Sequence, residues 1–268
     1  MVIIEGSRLW ALAGEWAPNP FRQGKSRCWR RIKTQKIENE IPVAEIFLSV
    51  QGEGINAGVP SVFLRTYFCN LTCTWCDSKY TWLNQDQSKA GVDYKSMTAD
   101  AVFEHVMRFG CSHLVLTGGE PLLQQKFLAP ILSRLKKEGM YIETETNGTI
   151  APTEETLGLI DCFNVSPKTS NSLVDRRVRT RRAPLEAFVA SEKAWFKFVV
   201  RDSPDLAEVE DLIAEFSIPR DRVMLMPEGI DSTTLIERSR WLVDVCMKRG
   251  FRFTPRLHIL LFGNKRGT

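Results

Sequence analysis

Short apolar runs alternate with amphipathic stripes along most of this chain, and that alternation constrains the fold more than any other feature. From Val43 onward the runs read as strands and the stripes as helices. Ser61–Arg65 is a short strand, and Thr98 caps a helix whose Val102, Phe103, Val106 and Met107 share one face before Gly110 stops it. His113–Leu116 reads as a buried strand. Phe127, Leu128, Ile131, Leu132 and Leu135 form a second helical stripe, closed by Lys136, Lys137 and Gly139. Further strands are expected at Tyr141–Glu145, Cys162–Val165, Phe196–Val200, Arg222–Met226 and Phe251–Thr254. Between them the pattern predicts helices near Glu154–Leu159, from a Ser203 cap through Pro204 to Phe216, and over Thr233–Lys248. Strands and helices in this alternation require right-handed crossovers and therefore a parallel sheet. About six such units are too few for a closed eight-fold barrel. The expected fold is α/β, a partial (β/α)6-type barrel with mainly parallel strands.

Ligands in such sheets sit beyond the carboxyl ends of the strands. The cysteine loop at Cys69, Thr117-Gly118-Gly119-Glu120-Pro121, Thr146-Asn147-Gly148, Ser166-Pro167-Lys168 and Met226-Pro227-Glu228-Gly229 each follow an expected strand. They should converge on one rim.

Cys69-x3-Cys73-x2-Cys76 brings three soft thiolates to that rim, beside Tyr67, Phe68 and Trp75. Thiolates favour iron–sulfur clusters, zinc or copper(I). Three ligands are one short of closing a zinc site, whereas on a four-iron cluster they leave one iron open to a small molecule. Spacing alone leaves open a zinc site completed by a distant His or Cys, and also reduced core cysteines. The Gly118-Gly119 turn lets backbone approach a ligand closely and leaves peptide groups free to bond it. The remaining cysteines, Cys28, Cys111, Cys162 and Cys246, show no pairing rhythm, which indicates a reducing, cytoplasmic compartment.

Charge narrows the partners. Residues 1–40 hold eight Lys/Arg against four Asp/Glu, leaving 28 of each in the rest of the chain. A neutral main domain lacks the concentrated positive field that nucleic acid requires. The stretch Arg176–Arg182 holds five arginines with no aromatic residue for base stacking, and it reads as a solvated insertion. Apolar runs stay far below the roughly 20 residues that span a bilayer. Residues 1–40 contain Trp10, Trp16 and Trp29 but no sustained period and no secretory signal, so they read as a poorly structured extension to a core domain at 41–268.

The cysteine triplet followed by Thr117–Pro121 resembles the radical S-adenosylmethionine (SAM) superfamily. More narrowly, Glu45-Ile46-Phe47-Leu48-Ser49-Val50-Gln51-Gly52-Glu53-Gly54, then Cys76-Asp77-Ser78-Lys79-Tyr80-Thr81-Trp82, is similar to the 7-carboxy-7-deazaguanine synthase family. The match stays in register through Glu145–Gly148, Ser166–Lys168 and His258–Asn264. This resemblance implies a radical SAM carbon–nitrogen lyase that contracts the ring of 6-carboxy-5,6,7,8-tetrahydropterin to 7-carboxy-7-deazaguanine with loss of ammonia, in 7-deazapurine (queuosine-type) biosynthesis.

It also implies roles for individual residues. Cys69, Cys73 and Cys76 would hold a [4Fe-4S] cluster, and Ser78 would ligate Mg2+, a hard cation suited to a hydroxyl with substrate oxygens. Val50, Gln51, Gly52 and Glu53 would form the substrate turn, Arg65 would grip the substrate carboxylate with a planar fork, and Thr117 would add a contact. Gly119, Ser166, Pro167 and Lys168 would bind SAM. Asp77 reads as a partner of this site or a turn cap, His258 as a substrate neighbour or a structural histidine, and the last substrate contact falls near Asn264. Met226-Pro227-Glu228-Gly229 departs from the Gln-Pro pair of other members, which puts a side-chain contact there in doubt. The family further implies a homodimer and an external, flavodoxin-like electron donor. Two other readings remain: a radical SAM activase that makes a glycyl radical on another protein, and a non-enzymatic zinc- or cluster-binding module.

Overall fold

Nine strands line up in one sheet among the residues described by the computed structural model, which are 40–83 and 94–268. The extension expected at 1–40 lies outside them except for Glu40, which already belongs to the first strand. In chain order the strands are β1 (Glu40–Val50), β2 (Pro60–Thr66), β3 (Lys95–Thr98), β4 (His113–Gly118), β5 (Tyr141–Thr146), β6 (Cys162–Val165), β7 (Ala194–Val200), β8 (Val223–Pro227) and β9 (Arg252–Phe253). The helices are α1 (Ala99–Met107), α2 (Gln125–Lys137), α3 (Glu154–Leu159), α4 (Arg176–Arg179), α5 (Arg182–Ala190), α6 (Ser203–Phe216), α7 (Ser232–Arg249) and α8 (Leu257–Phe262). No helix among the described residues is long and apolar enough to cross a membrane.

The sheet runs β3-β1-β2-β4-β5-β6-β7-β8-β9, parallel from β2 to β9, with β1 antiparallel to both of its neighbours. It does not close, as the partial barrel requires. The antiparallel edge made by β1 and β3 has no signal in the sequence, because β3 is a four-residue, mostly exposed strand without an apolar pattern.

The parallel strands alternate strictly in what their two faces carry. Leu114, Leu116, Ile142, Phe163, Val165, Phe196, Phe198, Val200, Val223 and Leu225 face the helices and form one core with Leu128, Ile131, Leu132, Leu135, Leu206, Val209, Leu212 and Leu242. The intervening residues Thr117, Glu145, Lys197, Val199 and Met226 line a cavity on the other face. Period-two alternation places successive side chains on opposite faces, so polar residues embedded in apolar strands mark the concave side.

Helix ends are set by local chemistry. Thr98 accepts from the Ala101 amide at 3.2 Å, as its position predicts. At α6 the cap is Asp202 instead of the expected Ser203: its carboxylate accepts from the Asp205 amide at 3.4 Å, and Ser203 and Pro204 are already helical. The arginine stretch read as a solvated insertion forms α4 and the start of α5.

The β1–β2 turn is the feature that builds the site. Val50 pairs with Pro60 at one end of that ladder and Val43 with Thr66 at the other, so residues 51–59 lie at the end of the strands opposite to the cysteine loop. Instead of capping the barrel from outside, the turn folds into it. The Gly54 amide donates to Thr254 Oγ1 at 2.7 Å, and a Cβ on Gly54, whose φ is +75°, would collide with the Asn164 amide on β6.

Phe163 is fully buried, with its ring 5.4 Å from that of Phe188 on α5. Phe163→Ala should lower the unfolding free energy by about 3–5 kcal/mol, read from urea transitions of the variant and the parent.

Candidate active site

The strand-end loops and the inserted turn enclose a cavity of about 380 Å3. Val50, Gln51, Gly52, Glu53, Arg65, Cys69, Cys73, Cys76, Ser78, Thr117, Gly119, Ser166 and Lys168 all line it. Pro167 does not. Asp77, Met226, Glu228, His258 and Asn264 are also in the lining.

The rim is tied together by backbone and one carboxylate. After β2 the chain turns sharply at Phe68, whose φ is +78°. The Gly119 amide donates to the Thr66 carbonyl at 3.2 Å and the Glu120 amide to the Phe68 carbonyl at 2.8 Å. A Cβ on Gly119 would run into the Phe68 carbonyl, so only glycine lets these loops touch. Glu120 is fully buried and accepts from the Leu122 amide at 3.1 Å, the Asn147 amide at 2.7 Å and Thr146 Oγ1 at 2.8 Å. Burial outweighs these bonds and raises its carboxyl above the ordinary value.

N–H donors face the sulfurs of Cys69 and Cys76. The Leu71 amide points to Cys69 Sγ at 3.4 Å and Trp82 Nε1 to Cys76 Sγ at 3.3 Å, while Asn147 Nδ2 lies 3.9 Å from Cys69 Sγ. Burial pushes the Cys69 thiol up to about 12 and also raises Cys73. A bound cation would favour the thiolate form of Cys69 and Cys73. Three sulfurs, of which Cys69 and Cys76 face N–H donors, beside a glycine cradle, fit a cluster with one iron left without a protein ligand. Ser78 Oγ lies 3.7 Å from Cys76 Sγ.

An ionic frame fills the floor. Lys197, a charged residue within the apolar strand β7, donates to Glu53 at 2.5 Å and to Glu145 at 2.6 Å, with a side chain only 4% exposed. Arg256 Nε donates to Glu53 at 3.1 Å and its Nη1 to the Gly229 carbonyl at 2.6 Å, while Nη2 bonds Asp77. Glu53, Asp77 and His258 bring one ligand atom each within 4.8 Å of one another, but the Arg256 guanidinium already bonds both carboxylates. Burial alone would raise Glu53, yet Lys197 and Arg256 hold it well below the usual carboxylate range. Glu145 goes the other way: burial, reinforced by the charges of Glu53 and Glu143, pushes it up to about 7 despite Lys197. No motif of the sequence marks Lys197 or Arg256; the lysine's one local signal is its charge inside Phe196–Phe198.

Other side chains are held by neighbours. Gln51 Nε2 donates to Glu143 and its Oε1 accepts from the Glu53 amide at 3.3 Å, so its amide braces the turn. His258 packs on Gly52, where any Cβ would strike the imidazole. Arg65 Nε donates to Glu45 at 2.6 Å, and Tyr80 donates to the same carboxylate oxygen at 2.6 Å. Glu228 is engaged by Arg238.

The comparisons with known proteins fit this geometry. Residues 63–199 match the family model described as Radical SAM superfamily. The chain is 42% identical over 229 residues to the 7-carboxy-7-deazaguanine synthase of Pyrobaculum aerophilum, covering 85% of this chain and 97% of the relative. The chain belongs to the 7-carboxy-7-deazaguanine synthase family of radical SAM proteins. The synthase of Halobacterium salinarum is 37% identical, with 84% of this chain and 91% of the relative covered. In three dimensions the chain matches the crystal structure of QueE from Escherichia coli with a TM-score of 0.63 and 26% identity, over 82% of this chain and 95% of that one. The fold described above is thus similar to that of the Escherichia coli protein.

The shifted carboxyl of Glu145 predicts a pH effect with a definite sign. Its folded value of about 7 stands above the ordinary 4.5. The folded state binds the extra proton across that window, so the contribution is complete below pH 4.5 and is lost as pH rises to about 7. Glu145→Gln should flatten the fall in urea stability between about pH 5 and 7; an unchanged slope would assign the effect to another group.

Proposed function

We propose that this chain performs the 7-carboxy-7-deazaguanine synthase reaction: radical-mediated contraction of 6-carboxy-5,6,7,8-tetrahydropterin to 7-carboxy-7-deazaguanine with loss of ammonia. The observation that carries the proposal is the coincidence in one cavity of the cysteine triplet, the Gly118-Gly119 turn and the Gln51–Glu53 turn, in a chain 42% identical to a synthase over nearly that relative's whole length. A [4Fe-4S] cluster and SAM, when bound, supply a carbon-centred radical that takes a hydrogen atom from the substrate ring.

The chain's own residues position, dry and charge the site. Cys69, Cys73 and Cys76 hold the cluster, and Gly119, Ser166 and Lys168 face SAM, with Pro167 setting the backbone between the last two. Val50, Gln51, Gly52 and Glu53 form the floor under the pterin. Glu53 stays ionised beside Lys197 and Arg256 and so accepts from a guanine-like N–H edge, while Glu145, poised near neutrality, can hand a proton to the departing nitrogen. Arg65, aligned by Glu45 through Nε, keeps its Nη pair for the substrate carboxylate, and Thr117 adds a contact. Ser78 is assigned to Mg2+, which would orient the carboxylated pterin. The remaining assignments are a core domain at 41–268 behind an extension, a homodimer, the cytoplasm and an external flavodoxin-like electron donor.

Anaerobically reconstituted protein supplied with dithionite, SAM, Mg2+ and the tetrahydropterin acid is expected to release the deazaguanine acid, detected by mass spectrometry. SAM cleavage without that product would refute the substrate assignment, and about one zinc per chain with no sulfide would refute the cluster. Ser78→Ala should cut Mg2+-stimulated turnover about tenfold or more with cluster absorbance intact. An unaltered Mg2+ response would remove Ser78 from the metal site.

A further inference from the structure

The arginines between Arg176 and Arg182 do not behave as a block. Arg176 and Arg182 pair with Glu215, and Arg177 with Asp175, all on the surface. Arg179 turns inward and is 5% exposed. Its Nη1 donates to the Lys168 carbonyl at 2.6 Å, its Nε to the Val174 carbonyl at 3.1 Å and its Nη2 to Glu208 at 2.6 Å. Glu208, on α6, also accepts from the Ser170 amide at 2.7 Å. A buried guanidinium is tolerated only when its charge is paired and its donors are used, and here all three directions of the fork end on one loop or on the carboxylate that holds that loop.

That loop, residues 166–175, has two edges. One carries Ser166 and Lys168 into the cavity, with Lys168 Nζ donating to Ser166 Oγ at 2.9 Å. The other holds the cysteine loop: Trp75 Nε1 donates to Asn171 Oδ1 at 2.9 Å, and the Thr74 amide donates to the Ser172 carbonyl at 3.2 Å. The Lys168 ammonium stands 5.2 Å from the centre of the Trp75 ring, so the edges meet. Asn171 is itself pinned by donating to the Val199 carbonyl at 3.0 Å and to Asp205 at 2.9 Å.

We propose that Arg179 is a positioning residue that sets the height of the Ser166–Lys168 segment against the loop bearing Cys73 and Cys76, and thereby fixes SAM relative to the cluster. The inference rests on Lys168 and Ser166 being SAM contacts, as assigned above. Lysine at 179 keeps the charge but has no planar fork, and cannot hold two carbonyls and a carboxylate in three fixed directions.

The test is equilibrium binding of SAM to the anaerobically reconstituted holoprotein, without pterin, for the parent, Arg179→Met, Arg179→Lys and Glu208→Gln. The SAM Kd should rise about tenfold or more in Arg179→Met, by less in Arg179→Lys, and by a few-fold in Glu208→Gln, as expected for lost buried charged hydrogen bonds. Iron and sulfide content should match the parent, and the electron paramagnetic resonance change that SAM induces in the reduced cluster should be altered in Arg179→Met. Parent-like SAM affinity and spectra in Arg179→Met overturn the proposal. If that variant fails to retain its cluster, Arg179→Lys decides, and parent-like affinity or loss of the cluster there overturns it as well. A parent that binds SAM but gives no deazaguanine refutes the substrate reading alone and leaves the role of Arg179 to stand on the binding data.

Discussion

An ammonium on the inner face of a buried strand has to be answered by negative charge, and the answer given to Lys197 organises this molecule. An unpaired charge at that depth would cost several kcal/mol. One of its two partners, Glu145, stands on β5. The other, Glu53, belongs to the β1–β2 turn and can reach Lys197 only if the turn enters the barrel. Arg256 then grips Glu53, Asp77 of the cysteine loop and the Gly229 carbonyl after β8. Hairpin, cysteine loop and the last barrel segment thus share one set of charges, and the position of each depends on the other two.

Glu120 does for the rim what Lys197 does for the floor. Its carboxylate gathers the loops after β4 and β5, while the neighbouring glycine lets the loop after β2 press against them. These contacts are polar, short and enclosed. They suit a site that has to exclude water, because in a low-dielectric setting each hydrogen bond is stronger and each vacancy more costly.

Much of this was legible in the sequence, for identifiable reasons. Long amphipathic stripes such as Leu128–Leu135 and the apolar run at Leu114–Leu116 announced α2 and β4, and the glycine-rich turns after strands announced the rim. What stayed hidden was long-range or short-lived in pattern. The inward turn of residues 51–59 depends on partners about a hundred and more positions away, Gln51 on Glu145 and Glu53 on Lys197 and Arg256, which no local period reveals. Leu257–Phe262 is apolar except for His258 and too short to show a stripe, so the pattern does not announce α8. Arg179 looked like its exposed neighbours because composition cannot distinguish the one arginine that turns inward. Asp202 and Ser203 are both good caps, and only the carboxylate's bond to the Asp205 amide chooses between them.

The entry of the hairpin from the end opposite to the cysteine loop separates two tasks in the chain. Radical generation would be written into loops at one end of the barrel and part of the recognition of the target into a nine-residue insert from the other, residues 51–59. Because Glu53 of that insert and Asp77 of the cysteine loop share Arg256, the two tasks stay mechanically coupled: an insert re-shaped for another target would have to keep this one charge contact or shift the loop that carries the thiols.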